Sequence, residues 1–239
     1  MLVGAAAWAA AGFGAGCTGD MFDIEIGLAA TSLGHDFGRS APAIPALSCR
    51  DDRSCAGFQA PPVPDQRLRF ACDLAVGRCY GETDVRITAP IEVVQEGSLG
   101  AESARQIVRF IRSIDLAYTI PVNSLTFAVP RMDVYVSAVP AGQAPPAVGD
   151  APPMGAVLID SITPVAAAQT VASARHLRIA KGTPAHATIE SGMRGEGALI
   201  FSLVMRPRFP AGAPPPAGKI EVVLQPTVRV GVPWSELLP

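Results

Sequence analysis

Residues 114–136, IDLAYTIPVNSLTFAVPRMDVYV, decide the architecture of this chain. Apolar side chains return at every second position: Leu116, Tyr118 and Ile120, then Leu125, Phe127 and Val129, then Met132, Val134 and Val136. A period of two belongs to a strand that buries one face, because successive Cβ atoms leave the backbone on opposite sides. The intervening PVN and PR are too short for a crossover connection, so the spacing predicts three neighbouring antiparallel strands.

The same alternation runs outward in both directions. Downstream lie AVLIDSI, HLRIA, HATIES, ALIFSLVM and KIEVVLQPTVRVGV, and upstream DVRITAPIEVV begins the main body at Asp84. About nine short strands separated by turn residues predict an all-β protein, an antiparallel β-sandwich over residues 84–239. Further upstream, MFDIEIGLAATSLG sets Phe22, Ile24 and Ile26 against Asp23, Glu25 and Gly27, the pattern of a short edge strand. Residues 38–68, 140–155 and 207–218 are too rich in proline and glycine for a regular ladder and are expected to be loops.

One helix is expected. In AESARQIVRFIRSI, from residue 101, Ala104, Ile107, Val108, Ile111 and Ile114 recur at steps of three and four, with Glu102 in the first turn. Arg105, Arg109 and Arg112 fall on the other side and read as its solvated face. A helix over 101–113 that buries its apolar side would plug one end or face of the sandwich.

Cys49, Cys55, Cys72 and Cys79 form an even set, which an oxidising compartment would close into two disulfides. Spacing favours Cys49 with Cys55 and Cys72 with Cys79. Between the latter, CDLAVGRC reads as a hairpin in which Gly77 takes the positive φ of a tight turn. Zinc is the competing reading, but the gaps are wider than those of a zinc knuckle. In SCRDDRSC the adjacent Asp51 and Asp52 lack the alternate spacing of a calcium loop and read as a solvated turn.

The fifth cysteine, Cys17, follows a run without charge, LVGAAAWAAAGFGAG, over residues 2–16. That length suits a signal-peptide core and falls short of the roughly 20 residues of a membrane span. GAGC resembles the lipobox of bacterial lipoproteins, with Gly14 standing where an aliphatic residue is usual. The resemblance implies removal of residues 1–16 and diacylation of Cys17, enough buried methylene to hold a protein on a membrane. Thr18 in place of Asp implies, by likeness to enteric sorting rules, no retention at the inner membrane.

The stretch from Ile114 to Val136 also resembles a group of secreted lipoproteins of social soil bacteria. These combine a lipobox, a cysteine-rich segment with a C…GxC hairpin, and a β-rich body with an N-[ST]-L-T-F…P…D-[VL]-Y-V core. A more distant likeness is to the immunoglobulin-like sandwich of water-stress domains, although Asn123 lacks the following proline found there. The resemblances imply an immunoglobulin-like β-sandwich with one short helix and a disulfide-stapled N-terminal segment. The expected organisation is a signal peptide at 1–16, an anchor and first strand at 17–37, a Cys-rich segment at 38–83 and the sandwich body at 84–239.

Candidates for chemistry are few. A net charge of −2, from 19 basic and 21 acidic residues, gives no field that draws nucleic acid. His35, His176 and His186 sit in no hydrolase or metal motif. His35 adjoins Asp36, but neighbours on a strand face opposite ways; His176 and His186 flank a KGTP turn and would be too few for a metal site. Asp115, Asp133 and Asp160 lie in or beside strands where outward positions are polar anyway. GMRGEG, at 192–197, reads as a hairpin turn.

The expectation is therefore a lipid-anchored lipoprotein of the bacterial cell envelope, exported and held at the outer membrane. It serves as a structural or binding component without catalysis, metal or cofactor. Its expected partners are the membrane, through the lipid on Cys17, and an envelope protein or apolar ligand. The alternatives are a carrier of a hydrophobic ligand with the 101–113 helix as its lid, and an envelope hydrolase.

Overall fold

Alternation becomes strand along most of the chain. The computed structural model describes residues 21–38, 46–56, 68–91, 111–140, 152, 155–210, 212–213 and 216–233. Among these, the strands are β1 (Met21–Gly27), β2 (Thr31–Asp36), β3 (Leu68–Asp73), β4 (Arg78–Thr83), β5 (Val85–Ile91), β6 (Ile111–Asn123), β7 (Met132–Pro140), β8 (Val157–Ile162), β9 (Val171–Ile179), β10 (Gly197–Met205), β11 (Arg208–Pro210) and β12 (Lys219–Pro233). Two short helices, α1 (Asp52–Ala56) and α2 (Pro184–Ser191), join them, and a π-helical turn, Gly192–Glu196, follows α2.

The antiparallel β-sandwich expected from the alternation is the architecture observed. One sheet runs β1-β12-β6-β9, with β2 also paired to β12; the other runs β5-β10-β7-β8. Every pairing is antiparallel. Taking β2, β5, β6, β7, β8, β9, β10 and β12 in chain order, the first pairs with the last, the second with the seventh, the third with the sixth and the fourth with the fifth. The chain is thus a long antiparallel ribbon, rolled until β12 meets β6 and β10 meets β7. Within the sandwich, that connectivity is a jelly roll. β1 and β2 share a sheet with β12, so the sandwich draws on residues before the Cys-rich segment as well as after it.

Leu116 and Ile120 from β6, Met132, Val134 and Val136 from β7, and Phe201 and Leu203 from β10 are fully buried and fill the space between the sheets. These include most of the positions marked by the period of two. Pro226 sits inside β12, which its missing N–H would ordinarily forbid. Its carbonyl accepts from Leu28 N–H, so its nitrogen faces the gap between the end of the β2 pairing at Leu224 and the start of the β1 pairing at Thr227. Pro226 thus falls outside the register pairs of both β1 and β2.

Several expectations are corrected, among them the 207–218 loop, which contains β11. The predicted helix over 101–113 lies outside the described residues up to 110, and from Ile111 the chain is β6. Ile111 and Ile114 are both buried, yet the ladder shifts register between them: Ile114 faces Val228 while Ile111 faces Val230. A β-bulge inserts one residue on β6, so a strand here shows the three-residue apolar step of a helix.

The helix that does pack against the core is α2, where HATIES reads as a strand. Thr183 caps it, accepting from His186 N–H, and Pro184 opens it. Ala185, His186 and Ile189 are its buried face, and the turn after it, GMRGEG, is π-helical rather than a hairpin.

Of NSLTFAVP, finally, only Asn123 is in a strand, as the last residue of β6; the rest is not. It crosses an end of the sandwich with one isolated bridge, Val129 to Val165. The buried Asn123 side chain fixes this crossing: its amide donates to the carbonyls of Ala166 and Gln169, and its oxygen accepts from Leu125 N–H.

Gly218 opens β12 at φ +96°, and a Cβ there would overlap the Ser124 carbonyl. Gly155 also has a positive φ, +87°, with open space around it. Gly155→Ala is expected to cost about 1–2 kcal/mol of conformational strain, and Gly218→Ala at least about 2 kcal/mol more because backbone must move. Urea denaturation of both variants checks the difference; equal midpoints would refute it.

Candidate binding surface on a disulfide-stapled head

Residues 46–56 and 68–83, joined by β11, form a separate small sheet of order β11-β4-β3. CDLAVGRC is the predicted hairpin: β3 ends at Asp73, β4 begins at Arg78, and Gly77 has φ +63°. Asp73 holds the turn, its backbone carbonyl accepting from Gly77 N–H and its side chain from Ala75 N–H.

Both disulfides form, but not with the pairing that spacing favoured. Cys49 bonds Cys72 and Cys55 bonds Cys79, with Cα separations of 5.8 and 5.7 Å. Cys72 and Cys79 are direct cross-strand neighbours, and their side chains leave the sheet on one face. There they meet Cys55, on α1, and Cys49, placed by the bridge between Ser48 and Arg78. Each bond therefore ties the α1 segment to the hairpin instead of closing a piece on itself. All four cysteines are buried together, beside Phe70. Asp51 and Asp52 have structural work: Asp51 accepts from Ser54, and Asp52 accepts from Cys72 N–H.

The opposite face of the hairpin is open. Arg78, Tyr80 and Glu82 alternate with the inward Cys79, Gly81 and Thr83. β11 lays Arg208 opposite Glu82 and Pro210 opposite Tyr80. The Arg208 guanidinium lies 5.0 Å from the Tyr80 ring centroid, and its Nε donates to Glu82 at 2.9 Å. Tyr80, Arg78, Arg208 and Pro210, with the turn residues Leu74 and Val76, line an open cleft of about 870 Å³. Leu74 and Val76 are 73% and 64% exposed. Of the large apolar side chains left exposed among the described residues, only Leu158 lies outside the head; Leu47 completes the set.

The head is fastened to one end of the sandwich. Phe37 at the end of β2, Phe127 in the crossing segment and Phe209 on β11 stack edge to face at 5.0 and 4.9 Å. His35 extends the row against Phe37 at 4.6 Å. Burial pushes the His35 imidazole below its ordinary pKa, against the opposing pull of Asp36.

The other candidates separate. His176 Nδ1 is hydrogen-bonded to Asp115 on an exposed sheet face, while His186 is buried in α2 with Nδ1 3.8 Å from Glu190. The two histidines do not meet across a hairpin. Asp133 accepts from Arg131 and Ser161, and Asp160 from Ser161 N–H, as outward strand residues do. Thr83 Oγ1, Ser137 Oγ and His186 Nε2 are buried without a hydrogen-bond partner. Cys17 lies outside the described residues. Among the described residues, the cleft is lined by one carboxylate, Asp73, and by neither serine nor histidine.

No protein-family model matches the chain, and neither a curated protein nor a solved structure does. The geometry stands alone. Sequence reasoning missed the Tyr80–Arg208 pair, whose members lie far apart in the chain. Its available signal was Leu74 and Val76, two aliphatics in a turn where polar residues are usual.

Two outcomes follow. Peptide mapping of the non-reduced protein is expected to recover Cys49–Cys72 and Cys55–Cys79. Removing either bond by paired alanine substitution is expected to cost about 3 kcal/mol for loops of this length, read by chemical denaturation; recovery of Cys72–Cys79 would contradict the topology. For His35, the unfolded chain takes up its proton first as pH falls below 6.5, so stability declines until pH passes the lowered folded-state pKa. Thermal melts from pH 7.5 to 5 should show a shallower decline for His35→Gln than for the parent; parallel curves would exclude the effect.

Proposed function

We propose that this protein is a lipid-anchored component of the bacterial cell envelope that carries its disulfide-stapled head as a non-catalytic binding module. The observation that carries the reading is the position of the two features on β12. The described chain starts at Met21, opposite Pro233 at the last position of β12; the head leaves the sandwich after β2, whose Asp36 lies opposite Lys219 at the first. Fifteen residues of strand at roughly 3.3 Å each separate these ends by about 45 Å. Cys17 precedes Met21 by only four residues, at most about 14 Å of chain. An acylated Cys17 would then hold the tail end at the membrane, with the head at the far pole.

The disulfides support export, since such pairs persist in oxidising compartments. Among the described residues no helix is long and apolar enough to cross a membrane, so attachment in this reading rests on the lipid. The carrier alternative draws no support from the interior, where side chains from both sheets fill the intervening space. The hydrolase alternative requires convergent acid, base or nucleophile groups, and the described lining of the head cleft offers a single carboxylate, Asp73.

Expression in a bacterial host fed a clickable fatty acid tests the anchor. The parent protein is expected to be labelled and to fractionate with membranes, and Cys17→Ser to lose the label and appear in the soluble exported fraction. A parent protein that carries no label, or one left in the cytoplasm, overturns the reading.

A further inference from the structure

Several arginines of the body are engaged, although Arg175 and Arg178 on β9 have no ion pair among the described residues. Arg131, Arg206 and Arg229 are each ion-paired, with Asp133, Asp84 and Glu25. On the open face of the head, neither the Arg69 nor the Arg78 side chain has an ion-pair or hydrogen-bond partner among the described residues. The carboxylates beside them are occupied: Asp73 accepts from Ala75 N–H and Glu82 from Arg208. The face therefore carries three guanidinium groups, on Arg69, Arg78 and Arg208, against two carboxylates, on Asp73 and Glu82, and the donors of Arg69 and Arg78 are unused.

The apolar part has the same address. Leu74 and Val76 project from the turn at the margin of the cleft, and the two disulfides behind the hairpin hold that turn in place. Exposed aliphatic side chains on a rigid turn gain contact area without much ordering cost. Arginine and tyrosine are the side chains that concentrate binding energy at protein interfaces. One face of Tyr80 is already covered by Arg208, which leaves less ring to stack on a sugar.

We propose that this face of the head is a docking site for an acidic polypeptide segment that also bears aromatic or aliphatic side chains. Arg78 and Arg69 receive its carboxylates, and Leu74, Val76 and Tyr80 take its apolar groups. A protein partner rather than the anchoring lipid follows from the head's place at the far pole, and in this respect the inference rests on the proposed function. Charge complementarity selects acidic partners, and the turn selects against purely charged ones.

The test uses the full chain purified from membranes in mild detergent, with a fluorescent random copolymer of glutamate and tyrosine as probe. Anisotropy is expected to show binding that exceeds polyglutamate by about tenfold or more and weakens as salt rises from 50 to 200 mM. Arg78→Glu and Tyr80→Ala should each weaken it about tenfold with unchanged melting, while Arg175→Glu on β9 leaves it unchanged. The inference falls if the copolymer does not bind, or if Arg175→Glu matches Arg78→Glu. It falls equally if anionic vesicles or polygalacturonate bind through Arg78 and the copolymer does not. A protein that binds the copolymer but takes no lipid on Cys17 would keep this site and lose the anchor; the reverse result would lose the site alone.

Discussion

β12 has a partner on each edge for most of its length, β2 and then β1 on one side and β6 on the other. The rest of the molecule depends on that pairing. β12 is the last strand among the described residues, and the sheet built around it joins segments about 200 positions apart in the chain. A ribbon that joins its first strand to its last is dominated by contacts distant in sequence, which makes closure entropically costly and folding slow relative to local structures. Side-chain details around β12 lower the number of ways it can dock. Pro226 falls between the β1 and β2 pairings, Gly218 lets the backbone pass under Ser124, and Asn123 ties Leu125 of the crossing segment to the carbonyls of Ala166 and Gln169 in the connection from β8 to β9.

Legibility in the sequence followed from how local each determinant is. The period of two in Leu116–Ile120 and Met132–Val136 is set by pleat geometry alone, and those residues point inward as the pattern requires. Ile111 and Ile114 show the limit, because a bulge and a helical turn produce the same apolar step and only the partner strand distinguishes them. In HATIES, the preceding Thr-Pro is a strong local helix start and outweighs the β-branched residues that follow. NSLTFAVP alternates because it crosses a core that buries Leu125 and Val129, not because it pairs along its length. The disulfide pairing was not legible at all. It depends on which face of the hairpin meets α1, a tertiary fact that spacing cannot encode. Likewise nothing in the local sequence brings β11 alongside Tyr80.

The head shows how a small unit compensates for a thin core. Its cluster consists of the two disulfides and Phe70, too little apolar surface to hold three short strands and a five-residue helix by burial alone. The crossed pairing puts the covalent constraint between pieces, where hydrophobic contact would otherwise have to act. Helix α1 adds Asp52, which satisfies the Cys72 N–H on the edge of β3. That edge donor would otherwise invite another strand.

A division between the two faces of the head follows from this economy. The cysteine face carries the burden of stability, so the Tyr80 face is released from packing and can display side chains that a larger core would have drawn inward. Leu74 and Val76 remain exposed because the turn that carries them is already fixed by Asp73, Gly77 and the disulfides behind it. The same logic runs through the body. β12 ties the tail end to the head end through one continuous strand, so a load applied at the head reaches β1 through backbone hydrogen bonds rather than through a flexible linker. A molecule built this way holds the open face of its head at a set distance from the start of β1. The jelly roll's structural contribution is that rigid spacing, and in the proposed reading the chemistry of recognition is confined to the open face of the head.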